Sequence, residues 1–329
     1  MRAEAPPPGV DLTEAPFELP DRFKKAVIDK LYELEWRRYP ALRQPEVKEK
    51  VASFFGIDPG AFLLTRGADE ALRLAFQHAG SRGAALALPD PGFFGFLRTA
   101  RALGVEFDHY HVPGELPSAS LLRLPVLCSP NNPSGHALSM ADVQGVCARS
   151  EGGAGPLLDL TYDFFADRPL HKNLNDLLSF GVISCISFSK SFALAGARVG
   201  MLVATPEIIE EVAEKNDRFG LDYFQLAVLD TLFDRRWDRE RESMVEWVRS
   251  TRSEMVGILS DLLPGDALGP CQGNFIPVHI SGVPDTFVRD LVEATACKVH
   301  PSSELLRITV NDFSLAGIRK LRSGPALAR

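Results

Sequence analysis

Ser187-Phe188-Ser189-Lys190-Ser191-Phe192-Ala193-Leu194-Ala195-Gly196-Ala197-Arg198-Val199-Gly200 sets one lysine between small hydroxyl residues and one arginine between two glycines. Just upstream, Val182-Ile183-Ser184-Cys185-Ile186 is a short, β-prone apolar run, so Lys190 falls just past the end of a buried strand. Burial there strips water from the amine, lowers its pKa and makes it a nucleophile toward an aldehyde. The guanidinium of Arg198 and the serine hydroxyls suit a phosphate, because a guanidinium offers a planar fork of donors. An aldehyde-reactive amine beside a phosphate site describes a pocket for pyridoxal 5′-phosphate (PLP). A surface lysine after a strand is the ordinary alternative for a lone Lys. The serines, the arginine and the glycines together favour the pocket.

The run resembles the cofactor-lysine signature of the fold-type I PLP enzymes, the class I/II aminotransferases. Its wording is closest to the histidinol-phosphate aminotransferase branch, and the resemblance extends over about residues 10–322. Short apolar strands alternate with helices between residues 45 and 220, which by itself predicts a mostly parallel sheet wrapped by helices, with the site at strand C-terminal ends. The fold expected is α/β: a large PLP-binding domain over 45–224 and a small α+β C-terminal domain over 225–329. Residues 9–44 form an N-terminal arm and helix, assigned to the small domain and a dimer contact. The proline-rich residues 1–8 are expected to be disordered.

Other stretches carry the same resemblance in chain order. Arg38-Tyr39-Pro40 matches a segment whose tyrosine, in the relatives, crosses to the other subunit of a dimer and touches the cofactor phosphate. A turn tyrosine packing on Pro40 is the alternative. Phe62-Leu63-Leu64-Thr65 reads as a strand, and Arg66-Gly67-Ala68-Asp69-Glu70 opens a helix. A helix start exposes free N–H groups and the positive end of a dipole, so the N–H groups of Ala68 and Asp69 are assigned to the phosphate. In Pro91-Gly92-Phe93, the aromatic two residues past the proline stacks on the pyridine ring in the relatives, which assigns Phe93. Asn132-Pro133-Ser134-Gly135 follows a strand, and in the family that asparagine donates to the phenolic O3′ and helps hold the substrate carboxylate.

Asp159 ends the run Pro156-Leu157-Leu158-Asp159. A carboxylate at the pyridine nitrogen keeps it protonated, so the ring acts as an electron sink; Asp159 is assigned there and Tyr162 to O3′. Ser187, Ser189 and Arg198 complete the phosphate cup around Lys190, the expected Schiff-base lysine. In Leu305-Leu306-Arg307-Ile308-Thr309, Arg307 matches the arginine that grips the substrate carboxylate. The expected catalytic residues are therefore Lys190, Asp159 and Tyr162, with Arg307 and Asn132 binding substrate.

Departures are as informative. The family's N-terminal Asn-Glu-Asn-Pro is here Thr13-Glu14-Ala15-Pro16. The arginine that helps bind the substrate phosphate in histidinol-phosphate aminotransferases is absent from Cys297-Lys298-Val299-His300-Pro301-Ser302. The expected reaction moves an amino group between an amino acid or amine and a 2-oxo acid, with histidinol phosphate and 2-oxoglutarate as one candidate pair. An aminotransferase for aromatic or other amino acids, and a decarboxylase resembling threonine-phosphate decarboxylase, remain open. So does a non-catalytic cofactor-binding regulatory domain.

The chain has 329 residues, a formal net charge of −7 and 45% hydrophobic residues. Such a balance gives no nucleic-acid surface, and no apolar run approaches the ~18–20 residues of a membrane span. The five cysteines lack metal-ligand or disulfide spacing, and no metal is expected. His109 and His111 stand two apart without an acidic or thiol partner and read as surface residues. The run Arg235 to Arg252 reads as a solvated helix face. A cytoplasmic homodimer is expected.

Overall fold

The computed structural model describes residues 12–41, 44–152, 155–299 and 304–323. Residues 1–8, expected to be disordered, and His300 lie outside them. Among the described residues, one sheet contains β1 (Phe62–Thr65), β2 (Ala85–Asp90), β3 (Phe107–His111), β4 (Arg123–Cys128), β5 (Leu157–Asp159), β6 (Ile183–Ser187) and β7 (Gly200–Val203). Their spatial order is β1-β7-β6-β5-β4-β2-β3. Neighbours pair in parallel except at β7, which is antiparallel to both β1 and β6. A second, antiparallel sheet has the order β8 (Phe275–His279), β10 (Leu305–Thr309), β9 (Lys298–Val299). The fold is α/β with a smaller antiparallel unit, as the sequence predicts.

The helices are α1 (Asp21–Glu33), α2 (Pro45–Phe55), α3 (Gly67–Ser81), α4 (Phe94–Leu103), α5 (Met140–Ala148), α6 (Leu174–Ser179), α7 (Pro206–Glu214), α8 (Tyr223–Leu232), α9 (Asp238–Leu262), α10 (Asp285–Thr295) and α11 (Asp312–Ser323). Their ends follow local chemistry. Pro45 opens α2 and Gly56, at φ +66°, closes it. Ser139 and Asp142 form a capping box at α5, and Asp222 and Gln225 another at α8. Asp21 is the first residue of α1, whose N-cap is Pro20. β3 begins only at Phe107, because the Val105 N–H bonds back to Ala100 O behind the left-handed Gly104.

Successive residues of the central strands point to opposite faces, and both faces are covered. Leu127, Leu158 and Ile186 pack among residues of α2, α5, α6 and α8. Val126, Leu157 and Cys185 pack among residues of α3, α4 and α7. Strands buried on two sides read as continuous apolar runs, which is why they are visible in the sequence. Each fully buried Phe or Leu, such as Phe62, Phe76 and Leu72, contributes about 1.5–3 kcal/mol.

Two expectations are corrected. The helix within 9–44 contacts both units: Phe23 and Val27 of α1 lie in the core beneath the large sheet, and Phe23 also meets Trp237 edge-on just ahead of α9. A boundary at 224/225 would cut α8. The charged run on α9 is not wholly solvated either, because Arg241 and Arg252 are buried. Arg252 donates through Nη1 to Phe165 O (3.0 Å) and Gly273 O (2.8 Å), and Arg241 donates to Leu232 O. A charged-residue count cannot reveal carbonyls brought in from elsewhere in the chain.

Arg252→Met keeps most of the volume but removes the donor to Gly273 O and leaves Phe165 O only the longer bond from Arg249 Nε (3.4 Å). It should lower unfolding stability by about 2–4 kcal/mol in urea denaturation. An unchanged midpoint would show that the contact is energetically idle.

Candidate active site

Loops leaving the C-terminal ends of β1, β2, β4, β5 and β6 converge on one edge of the large sheet, as expected for a parallel α/β sheet. Because β7 runs the other way, its first residue, Gly200, lies at that same edge, opposite both Thr65 and Ser187. Arg198 is thereby delivered beside the start of α3 and the lysine loop. The backbone of Arg198 is left-handed at φ +54°, an uncommon conformation for a residue with a side chain. Gln225 Nε2 donates to Arg198 O at 2.8 Å and holds that turn.

At this edge lies a cavity of about 450 Å³. Eleven of the twelve site residues read from sequence line it: Ala68, Asp69, Phe93, Asn132, Asp159, Tyr162, Ser187, Ser189, Lys190, Arg198 and Arg307. Tyr39 does not. It is 77% exposed and stacks on Phe219, with ring centroids 4.2 Å apart.

Asp159 is buried at the end of β5. Its Oδ1 accepts from the Thr161 N–H (2.9 Å) and hydroxyl (2.6 Å), while Oδ2 has no hydrogen-bond donor among the described residues. Burial raises the carboxyl to about 6 against the pull of the Thr161 bonds, and the negative Asp69 adds to the rise. Lys190 moves the other way, to about 8, mainly because burial disfavours the ammonium and secondarily through the positive Arg307. Its Nζ donates to Leu12 O. Tyr162 is buried, its hydroxyl 2.9 Å from Thr13 Oγ1 and 3.5 Å from Asn132 Nδ2. Asn132 Oδ1 accepts from Arg307 Nη1 at 2.7 Å, which brings the two residues assigned to the substrate carboxylate together.

The end of the cavity assigned to a phosphate is built from backbone and one cation. Arg198 Nη2 contacts Asp69 Oδ2 at 3.1 Å. Gly67 must be glycine: its φ is +76°, and an added Cβ would lie 3.0 Å from Arg198 Nη2. Behind it, the first N–H groups of α3 have no intrahelical acceptor. The Ser189 N–H donates to Ser187 Oγ at 3.2 Å.

Four contributors escape sequence reading. Thr13, which stands where the family has asparagine, is 1% exposed; its hydroxyl meets Tyr162 and its carbonyl accepts from Asn274 Nδ2 at 2.9 Å. Thr161, Gln225 and Arg98 are the others. Only Thr161 had a local signal, a hydroxyl two residues after a strand-end aspartate, which favours a side-chain-to-backbone turn. His109 and His111 are exposed, and among the described residues no cluster of three His, Cys, Asp or Glu could hold a metal. No described helix is long and apolar enough to cross a membrane.

The residues present fit PLP. An amine of lowered basicity and a buried carboxylate share one cavity, with a helix start and a guanidinium at its other end, where a phosphate would sit. Fold and cavity together are those of a PLP-binding α/β enzyme. The family model for aminotransferase class I and II matches residues 11–322, and the chain belongs to that family, whose cofactor is PLP. Among curated relatives, the histidinol-phosphate aminotransferase of Thermoanaerobacter sp. (strain X514) is 25% identical, the alignment covering 95% of this chain and 92% of that one. The solved histidinol-phosphate aminotransferase of Sinorhizobium meliloti, in complex with PLP, superposes with a TM-score of 0.78 at 18% identity, covering 94% and 88% of the two chains. L-threonine-O-3-phosphate decarboxylase of Porphyromonas gingivalis gives a TM-score of 0.78 at 18% identity, covering 95% and 98%.

Two pH effects follow from the shifted groups. Reductive labelling of Lys190 by an aldehyde should accelerate up to about pH 8 and then level, whereas an ordinary lysine keeps gaining reactivity to about pH 10.4. Peptide mapping across pH reads this; a rate still climbing above pH 9 contradicts the depressed amine. For Asp159 in the cofactor-free chain, the folded carboxyl holds its proton more tightly than the unfolded one. The stability it contributes is therefore present below pH 3.8 and lost as pH rises through about 6. Asp159→Asn should remove this loss, of order 2–3 kcal/mol, from the pH dependence of unfolding.

Proposed function

We propose that this enzyme transfers an amino group between an amino acid or amine and a 2-oxo acid. The observation that carries the reading is the cavity shared by Lys190, Asp159 and the Arg307–Asn132 pair. In this reading the N–H groups of Ala68 and Asp69, the hydroxyls of Ser187 and Ser189, and Arg198 hold the cofactor phosphate. Phe93 covers one ring face, Asp159 meets the ring nitrogen, and Asn132 and Tyr162 meet O3′. Tyr39 of the partner subunit reaches the phosphate in a homodimer, for which its exposure leaves it available. When bound, PLP supplies an aldehyde for Lys190 and a ring that accepts the electrons released at the substrate α-carbon.

The chain's own groups do the rest. Arg307 and Asn132 orient the substrate carboxylate. Lys190, released from the cofactor, takes the α-proton at Nζ and returns it, a task for which an amine titrating near 8 is suited. Asp159, drawn into ionisation by a positive ring nitrogen, keeps that nitrogen protonated. Thr161 fixes its orientation.

Histidinol phosphate with 2-oxoglutarate is the substrate pair that the relatives' names suggest. Histidinol phosphate has no carboxylate, so Arg307 would meet its phosphate in one half-reaction and a carboxylate in the other. The missing arginine in 297–302 argues instead for another amino donor. We place the protein in the cytoplasm, with no membrane or nucleic-acid partner.

Spectral titration of the PLP-loaded chain with a panel of amines, histidinol phosphate included, should identify a donor that converts the cofactor to its amine form. Release of carbon dioxide without a 2-oxo acid product would replace transfer by decarboxylation. Lys190→Ala should lower turnover by roughly 100- to 10,000-fold from the lost proton transfer alone. Undiminished activity would remove Lys190 from the mechanism.

A further inference from the structure

We propose that Arg98 determines substrate choice by receiving the terminal oxyanion, a carboxylate or a phosphate, of a substrate whose other end is oriented by Arg307 and Asn132. This rests on the transfer reading above and names the substrate class: amino compounds that carry a second anionic group at the far end.

Arg98 and Phe94 both line the cavity that holds Lys190 and Arg307. They are four residues apart on α4, which puts them on one helix face. The guanidinium carbon of Arg98 stands 5.7 Å from the Phe94 ring centroid. Phe94 is 62% exposed, an apolar ring left at the rim. A guanidinium resting on a ring is held in place while its fork of donors stays free.

The other cations of the cavity are engaged. Arg198 contacts Asp69, Lys190 donates to Leu12 O, and Arg307 donates to Asn132. Arg98 differs: among the described residues it makes no hydrogen bond or ion pair, and its one recorded contact is the Phe94 ring. Three carboxylates face the same cavity. Asp159 is buried below, Asp69 is held by Arg198, and Glu14 stands on the N-terminal segment, beyond ion-pair distance of Arg98. An unpaired guanidinium beside an exposed ring makes a receptor for an anion that arrives with the substrate. It also offers a guanidinium to the cavity, where the segment 297–302 has no arginine. A substrate with only one anionic group leaves Arg98 unused, so discrimination arises from the far end of the molecule.

Calorimetric binding of non-reacting probes to the PLP-loaded chain tests this without turnover. The probes are glutarate and 3-phosphonopropionate, each with a second anion, and butyrate, with none. The unmodified chain should bind at least one of the two-anion probes about tenfold more tightly than butyrate. Arg98→Met should erase that margin and leave butyrate unchanged, while Arg98→Lys keeps part of it. Whichever two-anion probe loses more in Arg98→Met names the oxyanion. Equal losses for all three probes, or no loss for any, overturn the assignment. If the margin depends on Arg98 but no amino donor is converted, Arg98 stands and amino transfer falls. If donors are converted and the margin is indifferent to Arg98, the reverse holds.

Discussion

Gly200 occupies a position with no room for a side chain. It pairs with Thr65 on one side and Ser187 on the other, and a Cβ there would lie 2.7 Å from Ile186 O and 2.9 Å from the Gly67 carbonyl carbon. That closeness makes the cavity. The turn before α3, the lysine loop and the arginine before β7 meet only because the antiparallel β7 is pressed between two strands that run the other way. A wider gap would separate the helix start from Arg198 and draw that arginine away from Lys190.

Electrostatics then divides the cavity into two ends. One end combines a buried carboxylate with a desolvated amine, and burial pushes each toward its uncharged form at neutral pH. At the other end Arg198 pairs with Asp69 near solvent. A ligand with a cationic ring nitrogen and an anionic tail suits both ends. Such a nitrogen would favour the ionised form of Asp159, and such a tail would compete with Asp69 for Arg198. In this arrangement the protein is poised for its cofactor at some cost to its own stability, a common trade where function needs ionisable groups in dry surroundings.

Much of this was legible in the chain because each strand-end motif joins a turn to a functional group within a few residues. Asn132 precedes Pro133, Asp159 closes an apolar run, and Lys190 sits among serines behind another. The buried strands were legible because apolar residues face both ways. What stayed hidden involves partners far apart in sequence. Thr13 and Tyr162 are 149 positions apart, Thr13 and Asn274 are 261, and no local pattern marks such pairs. The placement of α1 was hidden for the same reason. An amphipathic helix announces that one face is buried and says nothing of what buries it.

Arg249 and Arg252 of α9 together grasp the carbonyls of Phe164, Phe165 and Ala166, the turn that follows Tyr162, and Arg252 also grasps Gly273 just ahead of β8. The ring of Tyr162 meets Phe275 of β8 edge-on, with centroids 5.1 Å apart. The long helix, the small sheet and the tyrosine loop are thus riveted into a single block. Because the same turn is also anchored to the large sheet through the Leu160 N–H on Cys185 O, the floor and the clasp of the pocket are pinned in register with each other and with the sheet.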